Sequence, residues 1–587
     1  MSEQNKVTLG IAGISMPSFV HLMLKQRINE HHYFEITLDI QSAELYGVEI
    51  PTVSKDWIGQ KVVMDFGGTV FIGIATMVGL HRSGGTHGHI KVSGYSSTFL
   101  LESDHTCASW CNKSLSDIVK ELADKSGVSA LVNPETKSKL EYECQYEETN
   151  FGFIQRLARQ YREWLYYDGQ NLVFGKPQGG SATKLTYGEE LSVLDVCSQA
   201  LARPVKGSSY HSVNDQTYNG QSPDAAAGQN SLGQSAFDST LSLFTSPAVQ
   251  RAEPRIGNKG ELDAYFQRKQ QSDTAASSFV TGESDCHTLT VGSVIDVHSA
   301  IHTGIGVHVK NSIGTYIVTE ITHIAGMGGS YQNYFTALPS SIPSLPCPDV
   351  PLPVAHTQQA VVLSNDDPKK LGRVQVRMNW QSGSMQTSWI RVLTPDAGTS
   401  DKVSTNRGFV FIPEKGDQVM VAFRYDDPNR PFVLGSLFHG KSGTGGGSSN
   451  KTKSLTTRSG CTVTLDDEKG SITMKDKEGN SYVADGEGNI TISASKSITL
   501  CVGENSVTID SDGNISSNAQ KAITESAGEN IAQSAKNIDC TANEAYNISS
   551  TDFTATGSSS ALVSGTTKAT VDSSGTTAVT GTIIKLN

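Results

Sequence analysis

Residues 503–530, GENSVTIDSDGNISSNAQKAITESAGEN, carry a large apolar residue at every eighth position in an otherwise mostly polar stretch. Val507, Ile515 and Ile523 lie within it, and Ile531 follows it. A fixed period indicates a repeat architecture before any local propensity is weighed. One octapeptide supplies about one strand of five or six residues and a tight turn, so the stretch predicts a stack of short β-strands.

The same rhythm begins at Ile490 and, with slips of one residue, continues to Thr577. Either one chain winds a complete coil every three repeats, or three chains each supply one face and intertwine. The thin supply of Val, Ile and Leu in the later repeats favours three chains, because three copies of one side chain fill a narrow core on a threefold axis. A disordered Ser/Thr-rich stalk is the alternative, and the regular apolar spacing argues against it. The predicted core residues of this needle are Ile498, Val507, Ile515, Ile523 and Ile531.

Length and charge limit the other possibilities. A chain of 587 residues is expected to form several domains, since single cores stop growing near about 250–300 residues. The formal net charge of −12 argues against a nucleic-acid partner, which would need clustered Lys and Arg to neutralise phosphates. The nine scattered cysteines do not form the dense framework of a small secreted domain, so we expect them to be reduced.

The N-terminus MSEQNKVTLGIAGISMPSF lacks the apolar core of a secretion signal. No run of about 18 apolar residues predicts a membrane-spanning helix. We therefore expect a soluble chain that is made in the cytoplasm and leaves the cell by a route without a signal peptide.

Composition shifts divide the chain into four parts. Residues 1–345 are strand-rich, and the proline-laden LPSSIPSLPCPDVPLPV ends them, because each proline removes a backbone donor. Residues 346–440 hold short alternating strands typical of a small barrel. Residues 441–461 form a Gly/Ser linker and neck, and residues 462–587 form the needle.

Within the first part, amphipathic spacing predicts helices in LSDIVKELADKSG and ETNFGFIQRLARQYREW, the second capped by Thr149 or Asn150. Residues 207–258 are rich in Ser, Gly, Asn and Gln and predict a long excursion. A further helix is predicted in ELDAYFQRKQQSDTAASSF. In the barrel, strands are predicted in GRVQVRMNW, SWIRVLTP, RGFVFIP, DQVMVAF and PFVLGSLF.

These barrel segments closely resemble the OB-fold segment of VgrG proteins, the spikes of type VI secretion and related contractile injection systems. YEETNFGFIQRLARQYREWLYYDGQNLVF is similar to a hub segment of that family, and NKTKSLTTRSGCTVTLDDEKGSITMKDKEGN to the start of its β-helix. The chain departs from the family pattern at Arg159–Arg162 and in the excursion. The matching OB-fold positions include Gly372, Arg373, Trp380, Trp389, Arg391, Gly416, Asp417, Pro428 and Gly435.

The resemblance implies a mainly β fold: a phage-hub-like region of β-barrel domains with a few helices, an OB-fold barrel, and a C-terminal intertwined triple-stranded β-helix. It implies a homotrimer that docks on an Hcp-like inner-tube hexamer and baseplate proteins. A PAAR-type tip protein, effectors and a transient contact with a target membrane are the other implied partners. The alternatives are the spike of an extracellular phage-tail-like particle or phage baseplate and, less favoured, a cell-wall hydrolase.

Signals for enzyme chemistry are weak, so we expect no catalytic residue, cofactor or metal. The carboxylate pairs Asp366–Asp367, Asp426–Asp427 and Asp466–Asp467 occupy turn-like sequences, whereas a glycosidase needs two carboxyls across a cleft. HRSGGTHGH places His87 and His89 on one side of a possible strand but offers no third ligand. About twenty residues separate Phe438 from the repeat, too few for an inserted lysozyme domain, since domains need roughly 50.

The C-terminal GTIIKLN is unusually apolar for the repeat region. Three chains would bring three copies of it together at the apex. Ile583, Ile584 and Leu586 therefore either cap the core of the shaft or form a hydrophobic seat for a tip protein.

Overall fold

The computed structural model describes residues 7–40, 55–82, 88–177, 179–201, 204–304 and 307–586, with side chains described outside 300–310. His87 and the first six residues of the predicted N-terminal part lie outside the described residues. The chain divides into two compact units, Met1–Gly443 and Thr444–Asn587.

The first 345 residues, the hub region, are mostly strands. The helices are α1 Leu115–Lys125, α2 Asn150–Tyr161, α3 Ser231–Leu243 and α4 Lys259–Asp273. The strands are β1 Thr8–Ile11, β2 Ile14–Met16, β3 His21–Arg27, β4 Tyr33–Asp39, β5 Lys61–Asp65, β6 Val70–Arg82, β7 Gly88–Ser96, β8 Thr106–Trp110, β9 Ala130–Val132, β10 Glu143–Glu148, β11 Leu165–Tyr167, β12 Leu172–Phe174, β13 Thr183–Tyr187, β14 Leu191–Ser198, β15 Val205–His211, β16 Gln216–Gln221, β17 Ala248–Val249, β18 Ser278–Ser284, β19 Val294–Gly304, β20 Val307–Gly326 and β21 Tyr331–Pro339.

A 13-stranded sheet organises the hub region. Strands β19, β13, β14, β18, β21 and β20 follow one another, and pairing of β19 with β20 closes them into a barrel. From β20 the sheet continues through β3, β4, β7, β6, β5, β1 and β2. Alternate side chains point inward, as the pattern of β18 shows, and they form one core in the barrel and a second under the open part. The predicted mainly β class with a barrel hub is confirmed.

Helices α1 and α2 lie where the apolar spacing predicts them. Ser114 and Asp117 form a reciprocal capping box at the start of α1, and the Thr149 hydroxyl accepts the Gly152 amide at the start of α2. The Phe153 ring of α2 stacks on Trp110 with ring centroids 5.4 Å apart. Both helices pack their apolar faces into one core with β9, β11 and β12.

The excursion contains more regular structure than its composition indicates. Strands β15 and β16 form an antiparallel hairpin, and helix α3 follows, which the sequence analysis did not predict. Leu262 and Phe266 of α4 pack in a small core with Val205 of the hairpin. Helix α4 ends at Asp273 and β18 begins at Ser278, so the predicted helix extends past the observed C-terminal end of α4.

The barrel region contains β22 Gln358–Ser364, β23 Gln375–Met378, β24 Ala397–Gly398, β25 Arg407–Gly408, β26 Gln418–Phe423 and β27 Pro431–Ser436. Its main sheet has the order β23, β22, β26, β27. Strand β22 was not predicted. The strand predicted in RGFVFIP is reduced to the two residues of β25, and SWIRVLTP contributes single bridges at Ile390 and Val392.

The core of the barrel region is shared with the hub region. Tyr142, Cys144 and Tyr146, in or next to β10, are buried among the barrel side chains of β22, β23, β26 and β27. Val376 and Val421, on two of these strands, are fully buried in the same cluster. A strand of the hub region therefore completes the hydrophobic core of the domain that follows it.

The second unit is an antiparallel meander of short strands. Two sheets, β28 to β32 and β33 to β35, pair each strand with the next along the chain. Strand β28 lies inside the stretch predicted as linker and neck, and no strand follows Asn518 among the described residues. The strands are β28 Thr452–Thr456, β29 Thr462–Asp466, β30 Ser471–Lys475, β31 Ser481–Ala484, β32 Ile490–Ser493, β33 Ser497–Val502, β34 Asn505–Asp510 and β35 Ile515–Asn518.

Two buried histidines, His32 just before β4 and His323 on β20, lie on either side of one glutamine. Gln26 lies 3.2 Å from His32 Nδ1 and 3.0 Å from His323 Nε2. His323 Nδ1 also lies 2.7 Å from the Tyr331 hydroxyl. Burial lowers the pKa of both imidazoles to about 3, so both are neutral in the folded protein.

We expect this pair to make the hub region acid-sensitive. Because the folded pKa lies below that of an unfolded histidine, about 6.5, the stabilisation is complete above pH 6.5 and is lost as the pH falls toward 3. From pH 7.5 to 5 the free energy of unfolding should fall by about 4 kcal/mol for the two groups, measured by urea titration. His32→Gln should roughly halve this slope; the same slope in that variant would contradict the assignment.

Candidate functional site

Four of the five predicted needle core residues are exposed in the single chain. Val507 is 40% exposed, Ile515 74%, Ile523 59% and Ile531 56%, and Ile498 is half-buried. A coil formed by one chain would bury these side chains against its own turns. Their exposure disagrees with the single-chain coil and leaves a row of apolar side chains that this chain does not cover.

Repeated turns hold the ends of the needle strands. DKEGN, DGEGN and DSDGN each place an aspartate four residues before an asparagine. In the last of them Asp510 accepts hydrogen bonds from the Asn514 and Asp512 backbone amides and from the Asn514 side chain. These bonds hold the pKa of Asp510 below its usual range. Because the aspartate side chain accepts backbone N–H groups of the turn, the chain reverses direction wherever this Asp–Asn spacing recurs.

Beyond the last strand, exposed apolar side chains continue at the predicted interval through Ile538, Tyr546 and Phe553. At the C-terminal end, Ile583 is 76% exposed, Ile584 49% and Leu586 92%. The predicted tip residues therefore share the exposure of the shaft residues before them.

Several OB-fold motif residues stabilise turns. Arg373 makes a bidentate ion pair with Asp367, with contacts of 2.9 and 2.7 Å, which lowers the pKa of that carboxyl. Gly372 has φ +68° and Gly416 φ +97°, the left-handed region that favours glycine. Asp417 accepts the Glu414 amide at 2.8 Å.

The other motif residues contact or lie on strands, lie in the turn between β26 and β27, or face the hub region. Trp380 donates its indole N–H to Gln358 on β22, 2.8 Å away, and Gly435 lies on β27. Pro428 is buried in the turn between β26 and β27. Trp389 and Arg391 line a cleft between this domain and the hairpin β15–β16. Most motif residues therefore stabilise turns and strands of the OB-fold domain, and two of them line its surface toward the hub region.

A buried ionic network joins helix α2 to the turn of the OB-fold domain. Arg156 is 1% exposed and binds Glu148 through two contacts of 2.7 and 2.9 Å and Glu143 through one of 3.2 Å. Asn429 donates to the same Glu143 carboxylate at 2.6 Å and accepts the Cys144 amide at 2.8 Å. Asn429 is therefore fixed to a carboxylate that lies 286 positions earlier in the sequence.

Burial and ion pairing shift the pKa values of this network in opposite directions. Burial raises the pKa of Glu143, and the opposing attraction of Arg156 does not fully offset it. Burial alone would lower the pKa of Arg156, but Glu148 and Glu143 outweigh it and the pKa is raised. The network thus depends on Arg156 as a permanent positive charge.

Sequence reasoning missed this network, although it noted the departure at Arg159–Arg162. Arg159 donates to the Val350 carbonyl in the proline-rich segment, and Arg162 donates to Cys347 Sγ at 2.8 Å. Arg156 and Arg159 lie three residues apart on α2, and Arg162 follows the last residue of the helix. This run of arginines is the signal that the sequence offered.

The residues weighed as catalytic or metal-binding are distributed as follows. Asp367, Asp427 and Asp466 each accept backbone amides of the following turn. His89 lies on β7, paired with His81 on β6. Within the described ranges, no three His, Cys, Asp or Glu side chains are grouped as a metal site, and no helix is long and apolar enough to cross a membrane.

Two family models match the chain. The phage tail baseplate hub (GPD) model covers residues 32–329, which is more than half of the sequence. The chain belongs to the phage tail baseplate hub family. The injector OB domain of type VI secretion systems and phage baseplates matches residues 358–438 of the hub protein, which gives it the architecture of a VgrG-type spike.

Curated relatives are similar over the same regions. The hub protein is 25% identical over 389 residues to the type VI secretion system spike protein VgrG1a of Pseudomonas aeruginosa, covering 60% of this chain and 58% of that one. It is 24% identical over 372 residues to VgrG1b of the same organism, covering 58% and 48%. The chain thus spans about half the length of these relatives.

A chain of the half-lidded Francisella PdpA–VgrG complex shares the fold, with a TM-score of 0.51 and 11% identity. The match covers 83% of the hub protein and 87% of that chain. This likeness shows a shared fold. The two family models and the curated relatives confirm the predicted membership among VgrG-type spikes.

Proposed function

We propose that the hub protein is a homotrimeric spike at the tip of the inner tube of a contractile injection system. The observation that carries the proposal is the contrast between its two units. The hub and OB-fold domains bury their apolar side chains in continuous cores, whereas the periodic apolar residues of Thr444–Asn587 are exposed. Three chains would cover these residues on a common axis.

Energetics support three chains. Burying a Val or Ile side chain stabilises by about 1.5–3 kcal/mol, and each repeat from Ile490 to Ile538 offers one such side chain from each chain. The short strands of the meander also keep unpaired edges that neighbouring chains would hydrogen-bond. A trimer therefore satisfies both the apolar anchors and the strand edges of the shaft.

The proposed work is mechanical. An Hcp-like hexamer and baseplate proteins would contact the hub region, and sheath contraction would drive the shaft through a target membrane with its tip protein and effectors. The spike would be made in the cytoplasm, assembled into the apparatus and expelled. The shared hub and OB architecture equally supports the spike of a released phage-tail-like particle. We propose no enzymatic activity; clearing of peptidoglycan in a zymogram by the pure protein would contradict this.

Native mass spectrometry of the full chain tests the proposal. The expected particle has three times the 62.7 kDa of one chain. A monomer at micromolar concentration would overturn the intertwined shaft and with it the proposed spike.

Deleting residues 581–587 is expected to leave the trimer intact and to weaken binding of a purified PAAR-type protein by about tenfold or more, measured by pull-down and titration. The deletion removes Ile583, Ile584 and Leu586 from each chain, and with them the apolar area available to a tip partner. Lys585→Ser, which alters a polar position of the same segment, is the control. Unchanged binding after the deletion would assign these residues to capping the shaft.

A further inference from the structure

A cleft of about 360 Å³ opens between the hairpin β15–β16 of the hub region and the OB-fold domain. Tyr210 and His211 line it from the hairpin, and Trp389, Arg391 and Phe432 from the OB-fold domain. Its volume lies within the range of sites that take a small ligand or a few side chains, about 300–1,000 Å³.

The charges around the cleft are unbalanced. Five of its lining residues are arginines and one, Glu141, is acidic. This is a local excess of positive charge in a chain whose net charge is −12. Three of the arginines have carboxylate partners: Arg255 with Glu141, Arg373 with Asp367, and Arg430 with Asp427.

Arg391 and Arg424 have no carboxylate partner within the described part of the chain. The Arg424 guanidinium lies 5.4 Å from the centre of the Tyr425 ring. Burial and the nearby charge of Arg430 lower the pKa of Arg424, and Arg391 adds to this repulsion. The Tyr210 hydroxyl donates to Asp215 at 2.9 Å, which raises the pKa of Tyr210, and the charges of Arg391 and Arg424 oppose this rise. Tyr210, Arg391 and Arg424 all line the same cleft. A carboxylate placed there would relieve the repulsion and accept charge-assisted hydrogen bonds.

The remaining walls fit an extended polypeptide. Trp389, Leu393 and Phe432 provide apolar surface beside the two arginines. Strand β15 pairs with β16 from Lys206 to His211 but with β17 only at Val205 and Lys206. Its second edge therefore lacks a strand partner, among the described residues, in the segment that reaches the cleft. Such an edge binds an added strand through main-chain hydrogen bonds.

We propose that this cleft binds an extended segment of a partner protein in which an acidic side chain stands next to a large apolar one. The carboxylate accepts hydrogen bonds from Arg391 and Arg424, the apolar side chain packs on Trp389 and Phe432, and the peptide backbone follows β15. The inference goes beyond the proposed spike function. It does not depend on the trimer, because all residues that line the cleft belong to one chain.

The test selects binders from a random octapeptide bead library with the full-length protein. Enriched peptides should carry Asp or Glu beside Phe, Leu or Trp. A fluorescein-labelled consensus peptide should bind Arg391→Gln/Arg424→Gln about tenfold or more weakly, measured by anisotropy. Arg27→Gln/Arg407→Gln, which removes two exposed arginines elsewhere, should bind it like the wild type.

Three outcomes would overturn the proposal. One is a failed selection: either no enriched peptide depends on Arg391 and Arg424 for binding, or the enriched peptides lack an acidic residue. Another is an eight-nucleotide oligothymidylate that binds through the same arginines more tightly than the peptide. The third is loss of the native trimer in the Arg391/Arg424 variant, which would assign the cleft to a second copy of this chain. If the wild-type protein is a monomer and still binds the peptide, the proposed trimeric spike is contradicted and the peptide-binding cleft is not.

Discussion

Replacing Ile515 and Ile523 by aspartate is expected to convert the native protein from a trimer to a monomer of 62.7 kDa. In the proposed shaft each substitution places three carboxylates on the threefold axis, where water is excluded. The cost of burying an unpaired ion is several kcal/mol, and the like charges repel one another. Native mass spectrometry at micromolar protein reads the outcome directly.

The matched control places the same charges one position later, in Ser516→Asp/Thr524→Asp. In the proposed shaft, successive side chains of each strand point to opposite faces, so these carboxylates would face solvent and the trimer should persist. A trimer that survives Ile515→Asp/Ile523→Asp would show that these residues lie outside the core. Dissociation of the control would show that added charge alone separates the chains.

Arg156→Leu should lower the free energy of unfolding of the hub and OB-fold domains by about 3–5 kcal/mol. The substitution leaves the carboxylates of Glu143 and Glu148 buried without their positive partner. Urea titration followed by tryptophan fluorescence measures the loss. Because Arg156 holds down the pKa that burial raises at Glu143, the uncompensated Glu143 carboxylate takes up a proton more readily, and the cost should be smaller at pH 5 than at pH 8.

Arg27→Leu is the matched control for this prediction. Arg27 also contacts two carboxylates, Glu30 at 3.1 Å and Glu320 at 3.6 Å, but its side chain is 58% exposed. Solvent-exposed pairs contribute about 0–1 kcal/mol, so its loss should be small. Equal effects of the two substitutions would show that the burial of Arg156 carries no special cost.

Elements decided by local chemistry were predictable. Helices α1 and α2 follow from apolar residues at helical spacing and from Ser114 and Thr149 as caps, and the needle rhythm follows from a fixed period. Helix α3 was missed because six of its 13 residues are Ser, Gly or Thr, which have lower helix propensity than Ala or Leu. Burial of Phe237 stabilises the helix instead.

Features decided by distant contacts were not predictable. RGFVFIP has the composition of a strand, yet its side chains Phe409 to Phe411 are exposed, since composition does not say which strands find a partner. The Arg156 network depends on Asn429, and the cleft depends on a hairpin and a loop far apart in sequence. The carboxylate that joins Arg156 to Asn429 lies on β10, and a single-sequence pattern does not show that this strand packs into the core of the OB-fold domain.

The core that β10 shares with the OB-fold domain limits how such genes can recombine. A crossover in the proline-rich segment looks neutral in sequence, but it would pair the barrel of one parent with Tyr142, Cys144 and Tyr146 of another. Close-packed interiors tolerate such mismatched volumes poorly. Functional chimaeras should therefore inherit β10 together with the OB-fold domain, so that the unit of inheritance is discontinuous in the gene.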